Sequence, residues 1–238
     1  MARRKRFSIL AASTAAIIGV ALYLPGSASF INGFPVGSGY GGANCPVGID
    51  FAVTPSPVTY GGVVTINGRL VPEPGADVSA KSINLHKIRA GTGTVSALST
   101  VTTNANGYFT FSYRPFWGAF NYARWDGTSV CPAERSGDSN QVRVRISIAR
   151  SAATVAAGSP FTISGGVRFG HPGGHMSIQW FKPGGSIVTA PMTLNSLSNY
   201  SKTFTSRSRG VFFFRTIFPT QDVDHLGSHT VWISVTIV

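Results

Sequence analysis

From Gly48 onward, short apolar and β-branched segments alternate with clusters of Gly, Pro, Asn and Asp. Within residues 63–68 and 108–113, apolar and polar side chains alternate with a period of two. This period places one face of a strand in a core and the other in water. Helical periodicity is nearly absent, and prolines fall between the segments, where no ladder hydrogen bond needs their missing amide. The pattern predicts an all-β protein.

An internal repeat divides this β-rich region into two units. Both copies contain a Thr-Ile pair followed by a glycine, at Gly68 and Gly165. Each unit is slightly shorter than about 100 residues and holds about seven strands, which is the size of one immunoglobulin-type sandwich. The matching segments are 58–70 with 155–167 and 82–87 with 176–182, and the segments that close the two units are 141–148 and 230–237.

The chain before the repeats begins with a predicted export signal. Four basic residues, from Arg3 to Arg6, precede an uncharged run over 7–24, and Pro25 and small residues follow it. This order is typical of a signal peptide and predicts a secreted protein, extracellular or associated with the cell surface. The alternative is an uncleaved membrane anchor, because the apolar run reaches the usual minimum of about 18 residues.

We therefore predict two tandem immunoglobulin-like β-sandwich domains after an N-terminal signal helix. The predicted boundaries are 1–29 for the signal peptide, 30–46 for a Gly-rich flexible leader, 47–148 for the first domain and 149–238 for the second. Residues 148–152 contain no Gly or Pro, so the last strand of the first unit is expected to run almost directly into the second. This predicts a semi-rigid pair of domains.

The motifs of the first unit carry a resemblance to a known class of repeats. The pattern G-x-x-x-T-I-x-G ends at Gly68, and N-G-Y-F-T-F and Y-A-R follow it at 106–111 and 122–124. They resemble the Ig-like repeats of secreted and surface proteins of Gram-positive bacteria, particularly actinobacteria. The resemblance implies a stalk, an adhesin module or an accessory domain of an enzyme, and it specifies fold more than activity. It also implies that 120–124 is the sixth strand, with Tyr122 buried near a tyrosine-corner position.

The chain has two cysteines, Cys45 and Cys131. In an exported protein an even number of cysteines favours a disulfide bond. In contrast to antibody-type domains, neither cysteine lies on a central strand of the predicted sandwich, so the bond would pin the leader to a loop of the first domain. Such a bond contributes at most about 4 kcal/mol.

Charge suggests one class of partner. The chain carries 20 Lys and Arg against 8 Asp and Glu, and removal of the signal leaves 16 basic residues and a formal charge of +8. This balance favours contact with anionic cell-wall or extracellular polymers. The alternative is that the basic residues only keep the protein soluble and bind no specific partner. No basic helix or aromatic RNA-binding motif accompanies the scattered arginines, so no specific nucleic-acid partner is predicted.

Three aromatic residues form a candidate contact patch. Phe116 and Trp117 lie between Pro115 and Gly118 in a predicted loop, and Trp125 follows nearby. Exposed aromatic rings bind sugars or protein partners through stacking and apolar area. The alternative is that these rings belong to the core.

A His- and Asp-rich set is the candidate metal site of the second domain. If the fold is an Ig-like sandwich, the two loops that hold these residues meet at one end of it. Nitrogen and oxygen ligands suit zinc, but polar turn residues are the competing interpretation, and no metal or cofactor is favoured. The six residues are His171, His175, Asp222, Asp224, His225 and His229.

The sequence contains no nucleophile elbow, and neither cysteine has a histidine nearby, so no catalytic residues and no enzyme activity are predicted. The leading prediction is a secreted or cell-surface, non-enzymatic protein with a structural or adhesive role outside the cell. One alternative is a binding module for anionic cell-wall or extracellular polysaccharide, and another is an accessory domain of an enzyme. The predicted partner is an anionic wall polymer or another surface protein.

Overall fold

The computed structural model describes residues 44–220 and 222–238. The predicted signal helix and most of the predicted leader lie outside the described residues. The described residues form strands, turns and bends, and none of them is helical. Within those ranges we find no helix with the length and hydrophobicity that a membrane crossing requires.

The first sandwich contains two antiparallel sheets. Strands β1, β3 and β6 form one sheet, and β5, β4, β7 and β8 form the other in that order. The strands are β1 (Pro46–Thr54), β2 (Val58–Thr59), β3 (Val64–Pro72), β4 (Ser82–Arg89), β5 (Val95–Thr102), β6 (Tyr108–Tyr113), β7 (Ala119–Trp125), β8 (Glu134–Asn140) and β9 (Val142–Arg143).

The second sandwich repeats this arrangement. Strands β10, β12 and β15 form one sheet, and β11, β19, β16, β13 and β14 form the other, with β18 paired to β16. The strands are β10 (Arg145–Arg150), β11 (Thr154–Val155), β12 (Pro160–Arg168), β13 (His175–Phe181), β14 (Val188–Thr193), β15 (Asn199–Thr205), β16 (Gly210–Phe218), β17 (His225–Leu226), β18 (Ser228–His229) and β19 (Ile233–Ile237).

The two sandwiches share one connectivity. In each, the first, second and fifth main strands form one sheet, while the third, fourth, sixth and seventh main strands form the other. In each, a two-residue strand pairs in parallel with the end of the chain segment that closes the sandwich. This is the Greek-key order of an immunoglobulin-like sandwich. For the described residues, the prediction of an all-β fold with two tandem Ig-like sandwiches is confirmed.

The glycine shared by the two repeats has a steric cause. Gly68 pairs with Phe109 across the first sheet, and Gly165 pairs with Tyr200 in the second sandwich. A Cβ added to Gly68 would lie 2.1 Å from Cζ of Phe109, and one added to Gly165 would lie 2.0 Å from the backbone oxygen of Ser147 and 2.5 Å from the Tyr200 hydroxyl. Each aromatic ring therefore covers the glycine opposite to it, and the repeat requires a residue without a side chain there.

The chain passes from one core to the next within three residues. Val142 is fully buried in the core of the first sandwich, whereas Val144 is fully buried in a core cluster of the second. The segment predicted to close the first unit is therefore divided: β9 lies at the junction, and β10 (Arg145–Arg150) pairs with β12 and opens the second sandwich. The apolar residues that alternate along this segment therefore fill both cores, one after the other.

Strand β7 presents Tyr122 to the outer face of its sheet, so the expectation that Tyr122 is buried at a tyrosine corner is wrong. Its ring stacks on His86 of the neighbouring strand, with ring centroids 4.9 Å apart. Asn121 and Ala123, which alternate with it, face inward and are fully buried. A shift of one residue in a strand exchanges its two faces, which accounts for the error.

Candidate functional site

A small parallel sheet joins the two sandwiches. Its centre is β9, which pairs with β2 of the first sandwich on one side and with β17 of the second on the other. The backbone amide of Tyr60 donates to the carbonyl of Arg143 (2.8 Å), and the amide of Val144 donates to the carbonyl of Leu226 (3.1 Å). The two sandwiches thus share backbone hydrogen bonds through one strand, in addition to their covalent connection.

An ion pair crosses the same junction. Arg89, at the end of β4, donates from Nε to Oδ2 of Asp224 (2.9 Å), and its Nη2 also contacts that oxygen. The amide of Gly118 donates to the backbone carbonyl of Asp224 (2.7 Å), so the loop that carries Asp224 is held at two points. The Asp224 side chain is 12% exposed. Its hydrogen bond raises the pKa of the Arg89 guanidinium above the ordinary value.

The predicted contact patch lies largely at this junction. Phe116 is 49% exposed, and its ring packs against Tyr60 and against Phe169 of the second sandwich. Trp117 is half-buried, and the guanidinium of Arg89 lies 4.4 Å from its ring centroid. Trp125 is 4% exposed and belongs to the core of the first sandwich. The inclusion of Trp125 in an exposed patch was therefore wrong.

Three of the six candidate metal ligands lie together beside the junction. The ligand atoms of His171, Asp222 and His225 lie within 4.8 Å of one another. Nδ1 of His171 is 3.5 Å from Oδ2 of Asp222, and Nδ1 of His225 is 3.3 Å from Oδ1 of the same carboxylate. The two imidazole rings are perpendicular, with centroids 5.0 Å apart. One carboxylate thus lies between two imidazoles.

Contacts on both sides fix His225. Its Nε2 lies 3.0 Å from the backbone carbonyl of Phe116, across the junction. Its backbone amide donates to Oδ1 of Asp222 (2.7 Å), which holds the turn before β17. The residue is 6% exposed, and its Nδ1 is buried without a hydrogen-bond partner among the described residues. A proton on Nε2 would satisfy the Phe116 carbonyl and leave Nδ1 with a free lone pair.

His171 follows β12 in the loop that leads to β13. Its ring packs against Phe218, with centroids 4.9 Å apart, and its Nε2 is buried without a hydrogen-bond partner in the described part of the chain. Burial, together with the neighbouring His225, lowers the pKa of His171 below its ordinary value, and Asp222 opposes this shift. The lowered pKa favours the neutral imidazole, which is the form that donates a lone pair to a metal ion.

The other three candidates take different places. Asp224 pairs with Arg89, as described above. His175 is the first residue of β13 and lies opposite Thr193, and His229 lies opposite Ile217 in the ladder of β16 and β18. Sequence reasoning identified the two loops but missed Arg89 and the Phe116 carbonyl. No signal in the sequence links these groups to residues more than 100 positions away.

A second aromatic surface lies on the outer face of the second sandwich. Phe181 stacks on Phe213, with ring centroids 5.2 Å apart, and meets the ring of Trp232 edge-on at 5.0 Å. The guanidinium of Arg215 lies 4.5 Å from the Trp232 ring centroid, and its Nε donates to Oε1 of Gln179 (2.8 Å). All five side chains are half-buried. We call this set the outer aromatic face.

No family model matches this chain, and neither does any curated protein. Similar solved structures include a tetra-tandem repeat from the extending region of a large adhesion protein (12% identity, TM-score 0.38). Others are the D0–D1 domain of intimin (13%, 0.30) and the Yersinia pseudotuberculosis adhesin InvE (12%, 0.35). Each alignment covers 79% of this chain, but 49%, 97% and 58% of the three others, so this chain spans about half the length of the first. At these TM-scores and identities the similarities carry no argument about what the chain does.

Proposed function

We propose that this chain is a secreted or cell-surface, non-enzymatic protein whose two Ig-like sandwiches act together as a structural and adhesive module outside the cell. The predicted export signal, and the formal charge of +8 that would remain after its removal, support this location and role. The observation that carries the proposal is the junction, where β9 pairs with a strand of each sandwich. A module that transmits force or holds a partner at a fixed distance needs such a stiff connection between its domains.

The proposal predicts that the ion pair between Arg89 and Asp224 stabilises the connected sandwiches. Arg89→Ala is expected to lower the free energy of unfolding by about 1–3 kcal/mol, because it leaves a largely buried carboxylate unpaired. Denaturant unfolding of R89A, D224A and the double variant measures the coupling between the two side chains, expected at about 0.5–3 kcal/mol for residues in contact.

A matched control is available on the surface of the first sandwich. Arg124 also pairs with an aspartate, Asp126, but the two side chains are 54% and 53% exposed. Arg124→Ala is expected to cost at most about 0.5 kcal/mol, because water screens an exposed pair. Equal costs for R89A and R124A, or a coupling energy of zero, would show that the ion pair does not hold the junction.

The role itself is tested on the cells that make the protein. Protease added to intact cells should degrade the protein if it lies at the surface, and deletion of its coding sequence should reduce attachment of the cells to a solid surface. Re-expression of the parent chain should restore attachment, and R124A should restore it equally well. Attachment that is unchanged by the deletion, together with protection from protease, would contradict a surface adhesive role.

A second candidate function is the binding of an anionic wall or extracellular polysaccharide. The outer aromatic face favours it, because stacked rings beside an arginine provide apolar area for sugar rings and a cation for acidic groups. Phe116 and Trp117, which the sequence suggested for this role, are engaged at the junction.

Polysaccharide binding predicts a specific effect at Trp232. Trp232→Ala should weaken retention of the protein on isolated cell walls by about tenfold, a loss of about 1.4 kcal/mol, whereas Phe116→Ala should leave retention unchanged. Sedimentation of walls with bound protein, at low and at high salt, measures this, and the ionic part of the binding should weaken as salt rises. Retention that is insensitive to both W232A and salt would exclude this surface as the polymer site.

A further inference from the structure

We propose that His171, Asp222 and His225 form a binding site for a divalent transition metal, with zinc as the best-suited ion, at the junction of the two sandwiches. The donor set of two imidazoles and one carboxylate is typical of three-ligand zinc sites, in which water completes a tetrahedron. The site does not depend on an adhesive role for the protein. The proposed site contains three of the six residues that the sequence suggested and excludes the other three.

The distances suit this ion. Ligand atoms about 2.0–2.1 Å from a tetrahedral zinc lie about 3.3 Å from one another. Oδ1 of Asp222 lies 3.3 Å from Nδ1 of His225, and Oδ2 of Asp222 lies 3.5 Å from Nδ1 of His171, so each imidazole is already at nearly this separation from one oxygen of the carboxylate. The three ligand atoms lie within 4.8 Å of one another, so a small movement of the loops would complete the tetrahedron.

The surroundings of His225 provide the second contact that metal-binding histidines usually have. Such a histidine binds the metal through one ring nitrogen and donates its other N–H to a carbonyl or carboxylate. In His225, Nε2 lies 3.0 Å from the Phe116 carbonyl, and the buried Nδ1 faces Asp222 without a hydrogen-bond partner among the described residues. This orphaned nitrogen is what a metal would satisfy.

Access to the site comes from the carboxylate side. The Asp222 side chain is 37% exposed, while the side chains of His171 and His225 are 13% and 5% exposed. An ion can therefore enter past Asp222. The imidazoles behind it are shielded from competing water.

A metal at this position would act on both sandwiches. Its bond to Nδ1 of His225 would fix the proton on Nε2, which then donates to the Phe116 carbonyl of the first sandwich. It would also join the loop after β12 to the loop before β17. Zinc binding should therefore stabilise the second sandwich and strengthen its contact with the first.

Zinc titration of the full exported chain tests the proposal. Calorimetry should find one zinc per chain, and zinc at 100 times its dissociation constant should raise the folding equilibrium constant about 100-fold, seen as a higher melting temperature. In nuclear magnetic resonance spectra, the Nε2 proton of His225 should exchange more slowly with zinc bound. A chain that binds no zinc at millimolar concentration, or whose melting temperature does not rise, would overturn the proposal.

Two variants and one control locate the ion. Asp222→Asn removes the charge but keeps Oδ1, which accepts the turn hydrogen bonds from the amides of Asp224 and His225. D222N and His171→Asn should each weaken zinc binding at least tenfold. His229→Asn removes an exposed imidazole outside the cluster and should leave binding unchanged. Circular dichroism first establishes that each variant is folded. If H171N does not fold, D222N alone tests the assignment. Binding retained in D222N, or lost in H229N, would refute the assignment.

Discussion

Replacing Phe214 by alanine is expected to lower the free energy of unfolding of the second sandwich by about 3–5 kcal/mol, the range for a large aromatic side chain removed from a core. Phe214 is 1% exposed. Its ring meets Phe161 edge-on, with centroids 5.6 Å apart, and Phe204 in the same way at 5.1 Å. The two sheets meet through this cluster, because Phe161 and Phe204 lie on β12 and β15 while Phe214 lies on β16. The loss would leave a cavity that neighbouring strands cannot close.

Phe213 offers a matched control for this prediction. It precedes Phe214 in the same strand but faces outward and stacks on Phe181 at a surface that remains half-exposed. Phe213→Ala should cost about 1 kcal/mol, close to the contribution of one aromatic pair. Urea or guanidinium unfolding, followed by tryptophan fluorescence, measures both variants. Similar losses for the two would contradict the assignment of inner and outer faces in β16.

The alternation of apolar and polar residues with a period of two was sufficient to predict strands, but it could not indicate which core each strand fills. The alternation through Val142 and Val144 continues without a break into β10, although Val142 belongs to the first core and Val144 to the second. Nothing local marks the change, because both cores require the same apolar residues at the same spacing. The strand at the junction could therefore be predicted as a strand, but not assigned to its sandwich.

The residues of β7 themselves indicate which of its side chains face inward. Arg124 is two residues from Tyr122 and therefore lies on the same face, and a charged side chain rarely points into a sandwich core. This alternation places Tyr122 on the outer face and Trp125 on the inner face, as observed in the structure. A large aromatic residue beside a predicted loop is therefore weak evidence of exposure when the alternation of the strand places its side chain on the inner face.

The candidate metal site could be predicted in part for a topological reason. The loops after the second and sixth strands of an Ig-like sandwich meet at one end, so His171 and His225 were placed near each other. The group that completes the surroundings of His225 comes from the first sandwich, because the Phe116 carbonyl is 109 residues away in the sequence. The neighbouring ion pair likewise joins Arg89 to Asp224 across 135 residues. Their approach depends on how the two sandwiches pack, and no spacing within one repeat encodes it.

The disulfide bond joins the two sheets of the first sandwich at the end opposite the junction. Cys45, next to the start of β1, is bonded to Cys131 in the loop between β7 and β8, and the bond closes a loop of 86 residues. Strand β7 begins beside the junction loop that contains Gly118 and runs away from it, which places Cys131 at the far end. The predicted bond is confirmed, and it secures the end of the sandwich that the junction does not hold.

Removal of this bond is expected to lower the free energy of unfolding of the first sandwich by about 2–4 kcal/mol, because the open chain gains conformational entropy when it unfolds. The variant C45A/C131A and the parent chain in reductant should show the same shift in the denaturation midpoint, and reductant should not affect C45A/C131A further. Arg89→Ala, at the opposite end, should add its own cost independently, because distant sites are additive. Mass mapping without reduction should find one peptide pair linked through Cys45 and Cys131. A parent chain whose midpoint is insensitive to reductant would show that the strands of the first sandwich hold their two sheets together without the bond.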